Sequence, residues 1–364
     1  MLINILLPYK EKFSKLKASS VSITVSNNLK FSKFRKKVTV FGQFVENPMF
    51  SSNFHGIKDT KFFFKSKNTH LATQMCKHLE TNRNIKKIIE IHNRPYLINI
   101  IKNKIDKKHL ISLFLHNDPN EMKGCKTLYQ KEEILSKVNK IYCVSEYIKK
   151  QFLRGISDNS NKVSVLYNGV TRRVTSFPKK KKSVIFVGRI VKEKGVHLFV
   201  EAIDKLYNEF QDWNFSIIGS PKLGENDLDN FSKNILKKFN NIGLRTHVEG
   251  FIDQEKLHEI MKKSSIIVIP SIWKEPFGLV AAEAMSYGTA IVASKVGGLP
   301  EIIGENGLLI SDVNTDKIVE NLIFLMSNKH HLEDYQKKSW ENFTLNSQKI
   351  SNSLDNSRLR LLQK

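Results

Sequence analysis

Short apolar, β-branched runs alternate with longer stretches of helical spacing, and this alternation occurs twice along the 364-residue chain. The first series is Ile3 to Leu7, Val38 to Phe41, Lys87 to Ile91, Ile111 to Leu115, Lys140 to Val144 and Val163 to Leu166. The second is Val184 to Val187, Phe215 to Ile218, Thr246 to Glu249, Ile266 to Ile269, Ala290 to Ala293 and Leu308 to Ile310. Strand-length runs separated by helix-length segments dictate a parallel sheet with helices on both faces. Two such sheets in tandem give an α/β chain of two doubly wound domains, with ligands expected beyond the carboxyl ends of the strands in a cleft between them. Between the series, Thr171 to Lys182 holds Pro178 and four consecutive lysines and lacks an apolar period. The expected organisation is a domain over 1–170, a linker over 171–182, a second domain over 183–330, and a helical segment over 331–364 packing back on the first domain. The last ~10 residues are polar with few apolar anchors, and are expected to fray.

Hydrophobic residues make up 40% and charged residues 26%, which excludes disordered and collagen-like classes. Cys76, Cys125 and Cys143 form no CxxC and have no matching histidine cluster, so neither a disulfide framework nor a zinc site is supported. No apolar run reaches the ~20 residues that span a bilayer, and Met1 to Leu7 reads as a first buried strand rather than a signal segment. The expected location is the cytoplasm, with any membrane contact peripheral.

The net charge of +24 is unevenly placed. Residues 1–182 carry 37 Lys and Arg against 12 Asp and Glu, whereas residues 183–364 carry 22 against 23. The first half therefore faces something anionic, or carries solvated surface lysines.

The sharpest segment is Ile266 to Gly288, IIVIPSIWKEPFGLVAAEAMSYG. An apolar strand enters a loop ending at Glu275-Pro276-Phe277-Gly278, and an Ala- and Leu-rich helix follows. Gly278 and Leu279 offer free backbone N–H groups and a positive helix end to a phosphate. Glu283 lies on that apolar helix, where a carboxylate needs a partner. A ribose diol would supply two hydroxyl donors; a backbone N–H or an arginine would instead make it structural. Glu275, in the loop, is the better placed to touch a reacting sugar. After the first strand of the second series comes VGRIVKEKG, in which Gly188 permits a turn and Arg189 and Lys194 project from the loop. Two cations there suit a diphosphate whose charge grows as a bond breaks.

These segments, followed by AIVASKVGGLPEII and ENGLL and preceded by LFLHNDP, YCVSEYIKKQF and KVSVLYNGV, resemble the retaining glycosyltransferases of family 4. Bacterial lipopolysaccharide and polysaccharide enzymes are among these, and the resemblance covers roughly residues 85–310. It implies the GT-B fold, two Rossmann-like domains facing across a cleft. It also implies transfer of a hexosyl unit from a nucleotide sugar, UDP-linked rather than GDP-linked, to a glycolipid, lipopolysaccharide or polysaccharide hydroxyl. By the same resemblance Arg189 and Lys194 bind the diphosphate, Glu283 the ribose and Glu275 the donor sugar. Gly188, Phe277, Gly278 and Leu279 line the donor site, Phe251 and Ile252 lie beside the base, and His116 faces the donor sugar from the N-terminal domain. No cofactor or metal is implied, since no Asp-x-Asp occurs in the candidate loops. The family's glycine-rich loop after the first strand is replaced here by Lys17-Ala18-Ser19-Ser20.

Rival readings are a nucleotide-sugar epimerase of related fold and a basic protein binding nucleic acid or an anionic surface. The chain lacks an RNP-type aromatic pair and a zinc knuckle, which argues against nucleic acid. The basic half, with Lys61 to Lys65 and Lys102 to Lys108 as candidate contacts, is expected to dock on anionic lipid at up to ~1 kcal/mol per lysine. The protein should sediment with vesicles containing anionic lipid and not with neutral ones at physiological salt. Equal partition to both would refute the docking.

Overall fold

A computed structural model describes residues 1–15, 18–59, 66–82, 84–156, 161–221 and 228–363. The chain divides into two compact units, Met1–Gly169 with Ser347–Lys364, and Val170–Asn346. The first holds a seven-stranded sheet of β1 (Leu2–Leu6), β2 (Val38–Gln43), β3 (Phe54–Ile57), β4 (Lys87–His92), β5 (Leu110–Leu115), β6 (Lys140–Cys143) and β7 (Val163–Val165). Its order is β3-β2-β1-β4-β5-β6-β7. The second holds six strands, β8 (Lys181–Val187), β9 (Asn214–Ile218), β10 (Thr246–Gly250), β11 (Ser264–Ile269), β12 (Ala290–Ser294) and β13 (Leu308–Ile310). They run in the order β10-β9-β8-β11-β12-β13. All ladders are parallel. That is why β5 and β11 are buried at every position, helices covering both faces.

The expected strands all form, and β3 is added. Its sequence, FHGI, is four residues long with a histidine and a glycine, and it pairs only with β2 at the sheet edge. Neither period nor β-branching marks it. No helix among the described residues is long and apolar enough to cross a membrane.

Two boundaries differ from expectation. The stretch taken for a linker belongs to the second unit. Arg172 stacks on Trp340 at 3.9 Å, Lys180 sends its ammonium to the carbonyl of Lys262 and the hydroxyl of Thr289 at 3.2 Å each, and Lys181 opens β8. Burial lowers the Lys180 pKa to about 7. The second difference is at the C-terminus, where residues up to Asn346 stay with the second unit and the chain returns to the first as the helix Ser347–Leu362.

That helix runs to Leu362 where fraying was expected, and buried polar side chains help anchor it. Arg358 donates to both oxygens of Glu90 on β4 at 2.7 Å and to Asp355 at 3.0 Å. Asp355 also accepts from the Ser32 hydroxyl at 2.9 Å and the Lys33 N–H at 2.7 Å. All three charged side chains are buried. Burial alone would lower the Arg358 pKa, but Glu90 and Asp355 outweigh it and raise the value. Leu354, buried in the core, and Leu361 and Leu362, packed against it, add apolar anchors that the polar composition of the segment conceals. Removing one partner leaves buried carboxylates uncompensated, so Arg358→Ala should destabilise the protein by about 3–5 kcal/mol. The exposed pair Lys182–Asp212 is the control, with Lys182→Ala changing stability by less than about 1 kcal/mol. Urea unfolding of both variants decides; similar small losses would contradict the role given to the buried network.

Candidate functional site

In the second unit the strand order reverses between β8 and β11, which pair directly, with later strands running away on either side. Loops leaving neighbouring strands at such a point diverge to opposite faces and leave a crevice at the carboxyl edge. The two loops singled out in the sequence are the ones that follow β8 and β11.

Close backbone contact holds these loops together. Gly195 adopts φ 69°, and a Cβ there would lie 1.9 Å from the Pro270 carbonyl oxygen, so only glycine fits. The N–H groups of Ile272 and Trp273 donate to the Glu193 carbonyl at 2.9 and 3.3 Å. The loop after β12 closes the other side. Gly297, at φ 59°, would place a Cβ 2.1 Å from the Glu275 carbonyl oxygen, and the Gly298 N–H donates to that oxygen at 2.7 Å.

Glu275 is thereby fixed at the junction of three loops, with 7% of its surface exposed. Its Oε1 accepts from the Ser271 hydroxyl at 2.6 Å and from the Lys194 ammonium, which lies 5.8 Å from the Trp273 ring centre. The ion pair spares the buried carboxylate an uncompensated charge and orients the lysine before any ligand arrives.

Gly278, at φ 102°, caps the helix Leu279–Ser286, and no side-chain cap bonds its first amides among the described residues. Leu299 packs where a Cβ of residue 278 would stand. Glu283 is the fifth residue of this helix and 5% exposed. No hydrogen bond reaches its carboxylate among the described residues. Burial raises its pKa to about 7, and the Arg173 guanidinium pulls in the opposite direction. The partner that the sequence required is thus neither a backbone N–H nor a bonded arginine.

Arg189 is exposed and makes no ion pair among the described residues. Gly188, expected to permit a sharp turn, does not need glycine's freedom. Its φ is not positive, and a Cβ there would meet only the Phe186 ring at 3.5 Å. The demand falls instead on Gly219 at the end of β9, φ 140°, whose Cβ would strike the Gly188 carbonyl oxygen at 1.9 Å. Phe277 is buried, while Phe251 and Ile252, following β10, are half-buried.

His116 lies in the other unit, just past β5, where its Nε2 is 2.8 Å from Nδ1 of His92. Burial lowers its pKa to about 4. Ser19 caps the helix Ser20–Phe31 and Ala18 precedes it, whereas Lys17 lies outside the described residues, as do Lys61 to Lys65. Among the described residues no group of three or more His, Cys, Asp or Glu could hold a metal ion. Sequence reasoning missed Ser271, Gly219 and Arg173. Gly219 and Arg173 are singled out only by contacts distant along the chain, with Gly188 and Glu283, and Ser271 only by the loop turn that brings its hydroxyl back to Glu275.

A family model described as "Glycosyl transferases group 1" matches residues 169–341. An uncharacterised glycosyltransferase of Methanocaldococcus jannaschii is 31% identical over 267 residues, 70% of this chain and 71% of that protein. The spore coat protein SA of Bacillus subtilis is 29% identical over 280 residues, 69% and 72% of the two chains. Among solved structures, HepE of Anabaena in complex with UDP and glucose superposes with a TM-score of 0.76 at 16% identity, covering 99% of each chain. At that identity the likeness speaks for the fold, which is the α/β GT-B type expected from the sequence.

The Glu283 carboxyl is protonated up to about pH 7 when folded, against a reference value of 4.5. An acid whose folded pKa is raised destabilises the folded state as pH rises from the lower value through the higher. The full effect is roughly 3 kcal/mol. Glu283→Gln should remove it, so that unfolding free energy between pH 5 and pH 8 falls by roughly 2–3 kcal/mol less in the variant. Identical pH dependence in both proteins would count against a buried carboxylate.

Proposed function

As a member of the glycosyl transferases group 1 family, the chain is a glycosyltransferase, and we propose that it moves a hexosyl unit, with retention of anomeric configuration, from a UDP-linked sugar to a hydroxyl of a glycolipid, lipopolysaccharide or polysaccharide. The observation that carries this reading is the Lys194–Glu275 pair beside the helix end at Gly278, whose first amides have no side-chain cap. The UDP and glucose in the HepE structure support the donor class. The basic first half, with its excess of lysine, supports an acceptor bearing anionic groups.

In this reading the diphosphate lies against Lys194, Arg189 and the amides at Gly278 and Leu279. The bond between the anomeric carbon and the diphosphate oxygen breaks, and negative charge collects on the leaving group. Two cations and the helix dipole meet that charge in fixed positions, so no reorganisation is needed as it develops. Glu275 keeps Oε2 for a hydroxyl of the donor sugar, and Glu283 accepts from the ribose diol. Gly188 forms the floor beside them, Phe277 packs beneath, and Phe251 with Ile252 lies against the base. The departing diphosphate takes the proton of the acceptor hydroxyl on the face it leaves, and the new bond forms there, which preserves configuration. His116, in the other unit, is assigned to hydrogen bonding with a substrate hydroxyl. Because side chains and amides neutralise the diphosphate, the reading calls for no resident metal, and the protein would act in the cytoplasm or at the inner face of a membrane.

Removing one preorganised donor of this kind costs about 10²–10³ in turnover. Lys194→Ala and Glu275→Ala should each lose activity on this scale with unchanged circular dichroism, while wild-type product shows the donor's anomeric configuration by proton NMR. Wild-type turnover in both variants refutes the site, and an inverted product refutes the mechanism.

A further inference from the structure

His116 is one end of a buried chain of polar groups. His92 closes β4, and its ring stacks on Phe114 at 4.4 Å and 6°. Its neighbour Asn93 has φ 52°, a left-handed conformation asparagine tolerates better than most residues. From there the Asn93 Oδ1 accepts the His116 N–H at 2.8 Å, while the Asn93 N–H donates to the Phe114 carbonyl at 2.9 Å. The two rings are thus locked with Nδ1 of His92 2.8 Å from Nε2 of His116.

On its far side, His92 Nε2 is sealed from solvent without a partner, as is Oδ1 of Asn28. Both residues line one small cavity together with Glu90 and Arg358. Both Glu90 oxygens face Arg358 and accept from it, and neither is within hydrogen-bond reach of His92 Nε2. The guanidinium charge acts on His92, and a cation on that side favours the lone pair over an N–H at Nε2. A water in the cavity could donate to both orphaned acceptors.

We infer that His92 is a positioning residue: carrying its proton on Nδ1, it donates to Nε2 of His116 and so keeps the His116 proton on Nδ1, the nitrogen left for substrate. This rests on the reading of His116 given above. Burial keeps both rings neutral, so each has a single proton to place. The Nδ1 of His116 makes no hydrogen bond among the described residues, and in this tautomer it donates to a sugar hydroxyl oxygen. The other tautomer would present a lone pair to the same oxygen. Because Arg358 belongs to the helix Ser347–Leu362, that helix biases the tautomer through His92.

The test uses full-length protein with 15N-labelled histidine, long-range proton–nitrogen NMR and steady-state kinetics. In the wild type, His116 should be protonated at Nδ1. His92→Phe keeps a stacking ring and removes the donor; His116 should then populate both tautomers and kcat should fall about tenfold, with donor KM changed less than about twofold. His92→Asn restores an amide donor near the Nδ1 position and should recover most of kcat. His116 protonated at Nε2 in the wild type overturns the inference alone. So does full kcat in His92→Phe when His116→Ala is inactive. Full kcat in His116→Ala overturns the reading of His116 and this inference with it.

Discussion

The carbonyl of Pro270 occupies the space a side chain at position 195 would need, and much of the candidate site follows from that contact. It presses the loop after β8 onto the loop after β11, and the Glu193 carbonyl then takes two amides of the neighbouring loop. Lys194 and Glu275, 81 residues apart in sequence, are thereby brought into contact. Electrostatic preorganisation of this kind is produced by sterics first and charge second. The parallel register of β8 and β11 brings the two loops to one edge, and glycine lets them touch.

Two carboxylates on one stretch of chain therefore have opposite circumstances. Glu275 is neutralised by a lysine and a serine hydroxyl, whereas Glu283, eight residues on, is buried with only the field of Arg173 to oppose its desolvation. The first engages one oxygen inside the protein, through Lys194 and Ser271. The second has neither oxygen engaged among the described residues, which matches the vicinal hydroxyls of the proposed donor.

Legibility in the sequence followed the physics of each element. Strands covered on both faces are mostly apolar and β-branched, so all but β3 could be read directly. β3, a short edge strand, carries no such signature. Lys194, Glu275 and Glu283 stood out because charges beside apolar strand ends demand explanation. Ser271 and Gly219 did not, since serine and glycine are common in loops; Gly219 gets its task from Gly188 at the end of another strand, and Ser271 from the local turn that brings it to Glu275. The C-terminal helix was misread for the opposite reason. Its composition looks solvent-facing, yet Ser351, Asp355 and Arg358 point inward to partners that no periodicity could announce.

That helix has a consequence for how the chain reaches its native state. The first unit is interrupted in sequence: it begins at Met1, stops at Gly169, and resumes only at Ser347 after the whole of the second unit has been threaded. Made from the amino end, the early sheet emerges with Glu90 in its interior and the answering guanidinium still 268 residues from translation. The later unit, continuous in sequence, has no such wait. During synthesis the segment made second is therefore complete in sequence before the one made first.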